Sequence, residues 1–341
     1  KAGETITDTS YSDRVLFLSA TPFESILHTG YLTRLNLWTN RRKWLEDTMQ
    51  IRFNPEKECW EGLTPAKIRK LHEALVKEGR MGKNEIDFQD IKNSNGQQIT
   101  LTSENVLVPL TQENGEAYGR MNGVFDGFIE EALMENDRGR LRMLRGIQHF
   151  FRRSYDEAHK LPAAIERARK DVAAGKTVLF FLLRKNESSV EKWWNRYEED
   201  PSRYPPGSKM PLLLEALKRV QPPIAVPSPV RMILDAFPDA AKITGDEVAG
   251  GTEREANIRL LMDGKAKVGV ITIAAGAEAL NLQDKIGTHP RVSYIVSTPY
   301  TASTAKQVMG RGFRLGSESN AEILWLFNDT PSDRRIATNM A

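Results

Sequence analysis

The sequence predicts an α/β fold built on a parallel sheet, joined to a mostly helical stretch. Three observations predict it. Short, mainly apolar runs at Val178–Leu183, Val268–Ile273, Val292–Ser297 and Glu322–Asn328 are the length of strands and lack a polar face, as strands covered on both sides do. Segments with helical periodicity separate them, the alternation expected of parallel α/β units. A loop of small residues, Ala274–Ala277, follows the second run, at the end of a strand where open α/β sheets place ligands.

Composition bounds the rest. At 341 residues the chain is long enough for two domains, and 40% hydrophobic with 27% charged residues is ordinary for a globular protein. Net charge is +3, from 48 basic and 45 acidic residues, so any basic surface has to be local. Cys59 stands alone, which excludes a disulfide framework and a thiolate metal site and points to a reducing, intracellular setting. The five histidines show no metal-ligand spacing, and no metal site is expected. No run of 18 apolar residues exists, so no membrane-spanning helix is expected.

In chain order, Arg14–Leu18 reads as a buried strand that ends at Ser19-Ala20-Thr21-Pro22, a place for either a ligand or a helix cap. Residues 23–38 continue as helix and turn. Residues 41–155 read as mostly helical: Thr64–Glu78 with Thr64 as cap and Pro65 first, then Glu116–Glu135 and Asp137–Arg153, with a strand at Thr100–Leu110. The helix over 137–153 carries Arg138, Arg140, Arg142, Arg145, Arg152 and Arg153 opposite an apolar face of Leu141, Leu144, Ile147 and Phe151. Those arginines face either solvent or phosphates. Helices follow at Lys209–Val220, Val230–Phe237 and Glu253–Met262, with a short strand at Ala241–Ile243 before Thr244-Gly245. The final thirteen residues read as a truncated end.

The spacing Gln307-x-x-Gly310-Arg311-x-x-Arg314 is the most informative pattern. On a helix beginning near Ser303, three- and four-residue steps put Gln307, Arg311 and Arg314 on one face. Two planar guanidiniums beside a glycine suit a polyanion, because each presents a fork of donors that stays charged. A solvated basic helix is the plainer alternative.

The stretch GKAKVGVITIAAGAEALNLQD, Gly264–Asp284, resembles motif V of superfamily 2 helicases and translocases, the Gln307–Arg314 pattern resembles motif VI, and Ser19-Ala20-Thr21 resembles motif III. The run SATPFESILHTGYLTRLNLW, through Arg34, Leu35, Leu37 and Trp38, resembles strawberry notch-type helicases. In that family Lys-Ala follows motif II, so the opening Lys1-Ala2 suggests a chain that starts just after its own motif II.

The resemblance implies a RecA-like parallel sheet domain, the helicase C-terminal lobe, at 156–341. It also implies a mostly helical insert at 41–155 and the tail of a first RecA-like lobe at 1–40. It implies ATP and Mg as cofactors, held mainly by the missing first RecA-like lobe, and nucleic acid as partner, double-stranded DNA in the first instance. Gln307, Arg311 and Arg314 would serve catalysis, with Gly310, Glu278 and Asn281 at the nucleotide. Thr244, Gly245, Arg184 and Thr272 would lie along the nucleic acid, and Ser19, Ala20 and Thr21 would couple the two sites. The setting would be the cytoplasm of a bacterium or phage-infected cell, or a nucleus. An ATP-independent DNA- or protein-binding scaffold on a degenerate helicase half is the alternative.

Two further matches fail on context. Asp156-Glu157-Ala158-His159 spells the DEAH of motif II, but a helical pattern runs through it where a buried strand is needed. Gly175-Lys176-Thr177 spells the end of a P-loop, but Lys170 stands where the first glycine belongs and the order is helix then strand. With no Walker motif in these residues, the 341 residues alone are expected not to hydrolyse ATP.

Overall fold

The computed structural model describes residues 40–56, 59–62, 65–77, 91–183, 209–221, 224, 226–244, 252–273, 280–299 and 302–340. The chain divides into two compact units, Lys1–Ile86 and Asp87–Ala341.

In the first unit, helix α1 (Arg41–Met49) is capped by Asn40, whose side chain accepts from the N–H of Lys43. Strands β1 (Arg52–Asn54) and β2 (Cys59–Glu61) pair antiparallel, and α2 (Pro65–Lys77) follows. Leu45, Ile51, Leu71 and Leu75 are fully buried there.

The second unit is organised by a six-stranded sheet. Its strands are β3 (Leu101–Val108), β4 (Thr177–Leu182), β5 (Ala241–Ile243), β6 (Val268–Thr272), β7 (Arg291–Ile295) and β8 (Ala321–Asn328), in the order β3-β8-β7-β4-β6-β5. Every pair is parallel. Helices α3 (Gln112–Met134) and α4 (Arg138–Ala173) connect β3 to β4. Helices α5 (Met210–Lys218) and α6 (Pro229–Ala236) precede β5. Helix α7 (Thr252–Met262) precedes β6, α8 (Ala302–Gly312) joins β7 to β8, and α9 (Pro331–Met340) closes the chain.

Alternation along each strand explains the layers. Val178, Phe180 and Leu182 of β4 pack with Val268, Val270, Val292, Tyr294, Leu324 and Leu326 under α4 and α6. Leu179 and Phe181 pack with Ile271, Ile295, Ile323 and Trp325 under α7 and α8. Both faces are covered, which is why the strands read as continuous apolar runs. A third core joins α3, the first half of α4 and α5 through Met121, Phe125, Phe151 and Leu213.

The expected division at 155/156 meets no break here. Helix α4 runs unbroken from Arg138 to Ala173, and β3, expected to belong to a helical insert, is the edge strand of the sheet, in register Leu101↔Ala321 with β8. Residues Pro331–Met340 form α9. Its start carries ordinary signals: the hydroxyl of Thr330 accepts from the N–H of Asp333, and Pro331 opens the helix. No helix among the described residues is long and apolar enough to cross a membrane.

Candidate functional site

Helix α8 packs tightly on the sheet. At its last residue, Gly312, an added Cβ would lie 2.8 Å from Oγ of Ser293 and 3.9 Å from Cβ of Arg291, the first residue of β7. The end of α8 therefore sits over the amino-terminal half of β7, and only a residue without a side chain lets it come so close.

The arginines are held at this end. Arg311 donates from Nη1 to the carbonyl of Leu280 at 3.1 Å, and its own carbonyl accepts from the N–H of Leu282 at 3.0 Å. Arg314 donates from Nη1 to the side-chain oxygen of Asn281 and lies exposed. Arg311 is partly buried, and burial, with Arg314 beside it, lowers its pKa from the ordinary arginine value. An arginine stays charged under such a shift, so two cationic groups stand side by side here. Beneath it Arg291 is 1% exposed, its Nε bound to the carbonyl of Leu282 at 2.8 Å. Burial likewise lowers its pKa.

One expectation is corrected. Helix α8 ends at Gly312, so Arg314 lies beyond it and does not share a helical face with Gln307 and Arg311. Its backbone N–H is instead bound by the hydroxyl of Ser317 at 3.1 Å, in a turn.

Thr244 and Thr272 occupy the opposite end of the sheet. Thr272 is the last residue of β6, paired with Leu182, and Thr244 follows Ile243, which pairs with Ile271. Both are buried, and the Thr244 hydroxyl has no partner among the described residues. A five-residue strand spans about 13 Å between its first and last Cα, and β4 lies between β7 and β6, so the two groups of site residues are separated by more than that length. Gly310 lies on α8 near Arg311, and Gln307 one turn earlier, both partly exposed. Ser19, Ala20, Thr21, Arg184, Gly245 and Glu278 lie outside the described residues.

The expectation for the arginine-rich helix divides. Arg138, Arg142 and Arg145 are exposed, whereas Arg140 pairs with Glu135 at 2.9 Å and Arg152 donates to Asn122. Arg153 is buried, donating to the carbonyl of Thr298 at 2.6 Å.

A buried polar cluster that sequence reasoning did not find lies under the carboxyl ends of β4, β7 and β8. Lys160 is 1% exposed. Its Nζ meets Oδ2 of Asp333 at 2.6 Å and the carbonyls of Val296 and Leu326 at 3.0 and 3.1 Å. Asp156 accepts from the hydroxyls of Thr330 and Ser332, and its carbonyl accepts from the side-chain amide of Asn328. Glu157 accepts from the backbone N–H of Leu183 and the hydroxyl of Ser297.

Burial, and then the nearby Asp333 carboxylate, push the Asp156 carboxyl up to about 6. Burial also raises Glu157, against the donors from Ser297 and Leu183. The DEAH letters thus fall on a helix, and the carboxylates of Asp156 and Glu157 are held by internal hydrogen bonds. The signal for the cluster was present: Arg153, Asp156, Glu157 and Lys160 continue the spacing of the buried positions Leu161, Ala164 and Ala168 on the same helix.

The donor set at Arg311, Arg314 and Asn281 fits an anion's oxygens. No group of three or more His, Cys, Asp or Glu among the described residues could hold a metal ion. For ATP with Mg, these residues suit the phosphates and not the cation.

No family model matches the chain, and no curated protein matches it. Among solved structures, the chain is similar to the C-terminal part of the Fun30 ATPase domain, at a TM-score of 0.45 and 10% identity over 71% of this chain and 89% of that one. It is similar to the C-terminal domain of the Sulfolobus solfataricus SWI2/SNF2 ATPase, at 0.40 and 11% over 70% and 85%. It is also similar to S. cerevisiae Dbp5 bound to RNA and ADP BeF3, at 0.32 and 15% over 54% and 36%.

Proposed function

We propose that residues 87–341 carry the second RecA-like lobe of an ATP-dependent superfamily 2 helicase or translocase of strawberry notch type, acting on nucleic acid and in the first instance on double-stranded DNA. The observation that carries the proposal is the joining of two segments with separate motif resemblances. Arg311 and Arg314 are hydrogen-bonded to Leu280 and Asn281, so the arginine pair and the segment after β6 form one rigid, positively charged unit.

ATP supplies the phosphoryl group whose transfer drives the motor. The chain's own part is to hold charge. Arg314, exposed and held by Asn281 and the Ser317 turn, offers its guanidinium fork to phosphate oxygens, while Arg311, bound to the Leu280 carbonyl, adds positive potential in a partly desolvated place. Gln307 stands one helical turn away on α8, on the same side as Arg311. Thr244 and Thr272, more than a strand length away, serve the nucleic acid, with Gly245 and Arg184. Ser19, Ala20 and Thr21 would couple the sites. The groups that hold the β- and γ-phosphates and Mg would come from a first lobe, since no Walker motif lies in these residues.

The test is DNA-stimulated ATP hydrolysis by a chain carrying such a first lobe together with residues 1–341. Arg314→Ala is expected to lower kcat by roughly a thousandfold, as loss of an arginine supplied to a transferring phosphoryl group does, with duplex affinity kept. Unchanged kcat contradicts the motor and favours an ATP-independent scaffold. The Arg311 bond to a backbone carbonyl is the observation on that second reading's side.

A further inference from the structure

We infer that the exposed stripe Arg138, Arg142 and Arg145 on the first two turns of α4 is a second nucleic-acid contact, one that grips the phosphodiester backbone of a duplex. It rests on the proposed reading that this chain works on nucleic acid.

The three arginines stand at four- and three-residue steps, so they share one side of the helix, and all three are exposed. His149, also exposed, continues the line. The stripe from Arg138 to Arg145 is about 10 Å long at 1.5 Å per residue, which spans about three phosphates along one strand of B-form DNA.

What distinguishes these arginines from an ordinary solvated face is that four acids on α3 and at the start of α4 have other partners. Glu131 is bound by Lys209, and Glu135 by Lys209 and Arg140. Asp126 accepts from Gln148, and Asp137 caps the helix at the N–H of Arg140. No carboxylate among the described residues pairs with Arg138, Arg142 or Arg145. The three guanidiniums therefore present positive charge on this face that no described carboxylate pairs with.

Gly139 and Gly146 flank the stripe, and an added Cβ would meet nothing within 4 Å at Gly146. A backbone can approach the helix there without meeting a side chain. Behind the stripe, Leu144 and Phe151 anchor the helix in the core shared with α3 and α5, so the guanidiniums are carried on a rigid support.

The experiment measures binding of the 341-residue chain to a fluorescein-labelled 30-base-pair duplex across a salt series. The triple variant Arg138→Gln/Arg142→Gln/Arg145→Gln is expected to bind roughly tenfold or more weakly, with the slope of log K against log salt shallower by about 2–3. The triple lysine variant keeps most of the slope. A charge-matched control, Arg231→Gln/Arg259→Gln/Lys265→Gln, removes three other exposed cations and leaves both values unchanged.

Equal slopes for the glutamine variant and the unaltered chain overturn the stripe while leaving the Arg314 hydrolysis assay to judge the motor. Equally tight binding of poly-glutamate, with the same loss in the variant, also overturns it in favour of an acidic protein partner. Failure of the unaltered chain to bind the duplex overturns it too.

Discussion

Helices α4 and α8 both bring charge to the sheet, and they treat it in opposite ways. Helix α4 carries Asp156, Glu157 and Lys160 under the carboxyl ends of the strands, where hydroxyls, carbonyls and Asp333 enclose them. Helix α8 ends at the other edge, where Arg311 donates to a backbone carbonyl and Arg314, exposed, donates to a neutral side-chain oxygen. The first group has the letters of a helicase motif and the surroundings of a scaffold. In the second, Arg314 keeps charge that a neutral partner does not cancel. Burial and partners, not the residue types, separate a structural charge from one available to a ligand.

That contrast can be broken most sharply at Lys160. Lys160→Met leaves Asp333 buried without its counter-charge and is expected to lose about 3–5 kcal/mol of stability, read by urea denaturation of the 341-residue chain. The double variant Lys160→Met/Asp333→Leu removes both charges and should recover much of that loss. A cost below about 1 kcal/mol for the single change would place Lys160 among surface pairs and remove the contrast.

The pH dependence sharpens the same side. A carboxyl whose folded pKa is raised binds its proton more tightly in the native state. Asp156 therefore favours folding at low pH and withdraws that contribution as pH rises from about 4 to about 6, by at most about 3 kcal/mol for a two-unit shift. Glu157 is shifted in the same direction, so Asp156→Asn should flatten that window without abolishing it. A stability profile identical to that of the unaltered chain between pH 4 and 6 would contradict this.

The smaller expected effect is at Gly312. Gly312→Ala forces a methyl to within 2.8 Å of the Ser293 hydroxyl, and it is expected to cost about 1–3 kcal/mol and to displace the turn carrying Arg311 and Arg314. An undisturbed melting temperature would mean that α8 is not pressed against β7 as described.

Much of the sheet was legible because its strands are covered on both faces. VLFFL in β4 and ILWLF in β8 have no polar side to confuse them with surface segments, and Ala241–Ile243 was placed to the residue. Strand β3 was legible as a strand but not as a member of this sheet. Its partner lies some 220 positions later in the chain, and pairing at that separation leaves no local pattern; its exposed Thr102, Ser103, Glu104 and Asn105 look like an isolated ribbon.

At the site, the link between Arg314 and Asn281 was legible only as two separate motifs, because the turn at Ser317 that redirects Arg314 is a hydrogen-bonding choice rather than a periodicity. The cluster around Lys160 was missed because charged letters on a helix are normally read as its wet face. On α4 they stand on the buried one.

The most direct measurement compares hydrolysis with folding for the same substitution. In a chain with a first lobe, Arg314→Ala and Arg314→Lys are both expected to reduce single-turnover ATP hydrolysis by roughly a thousandfold, since an ammonium lacks the planar fork, with the melting temperature held within a few degrees. Full hydrolysis by either variant, or a loss that merely tracks unfolding, would contradict a phosphate-binding role for the arginine pair.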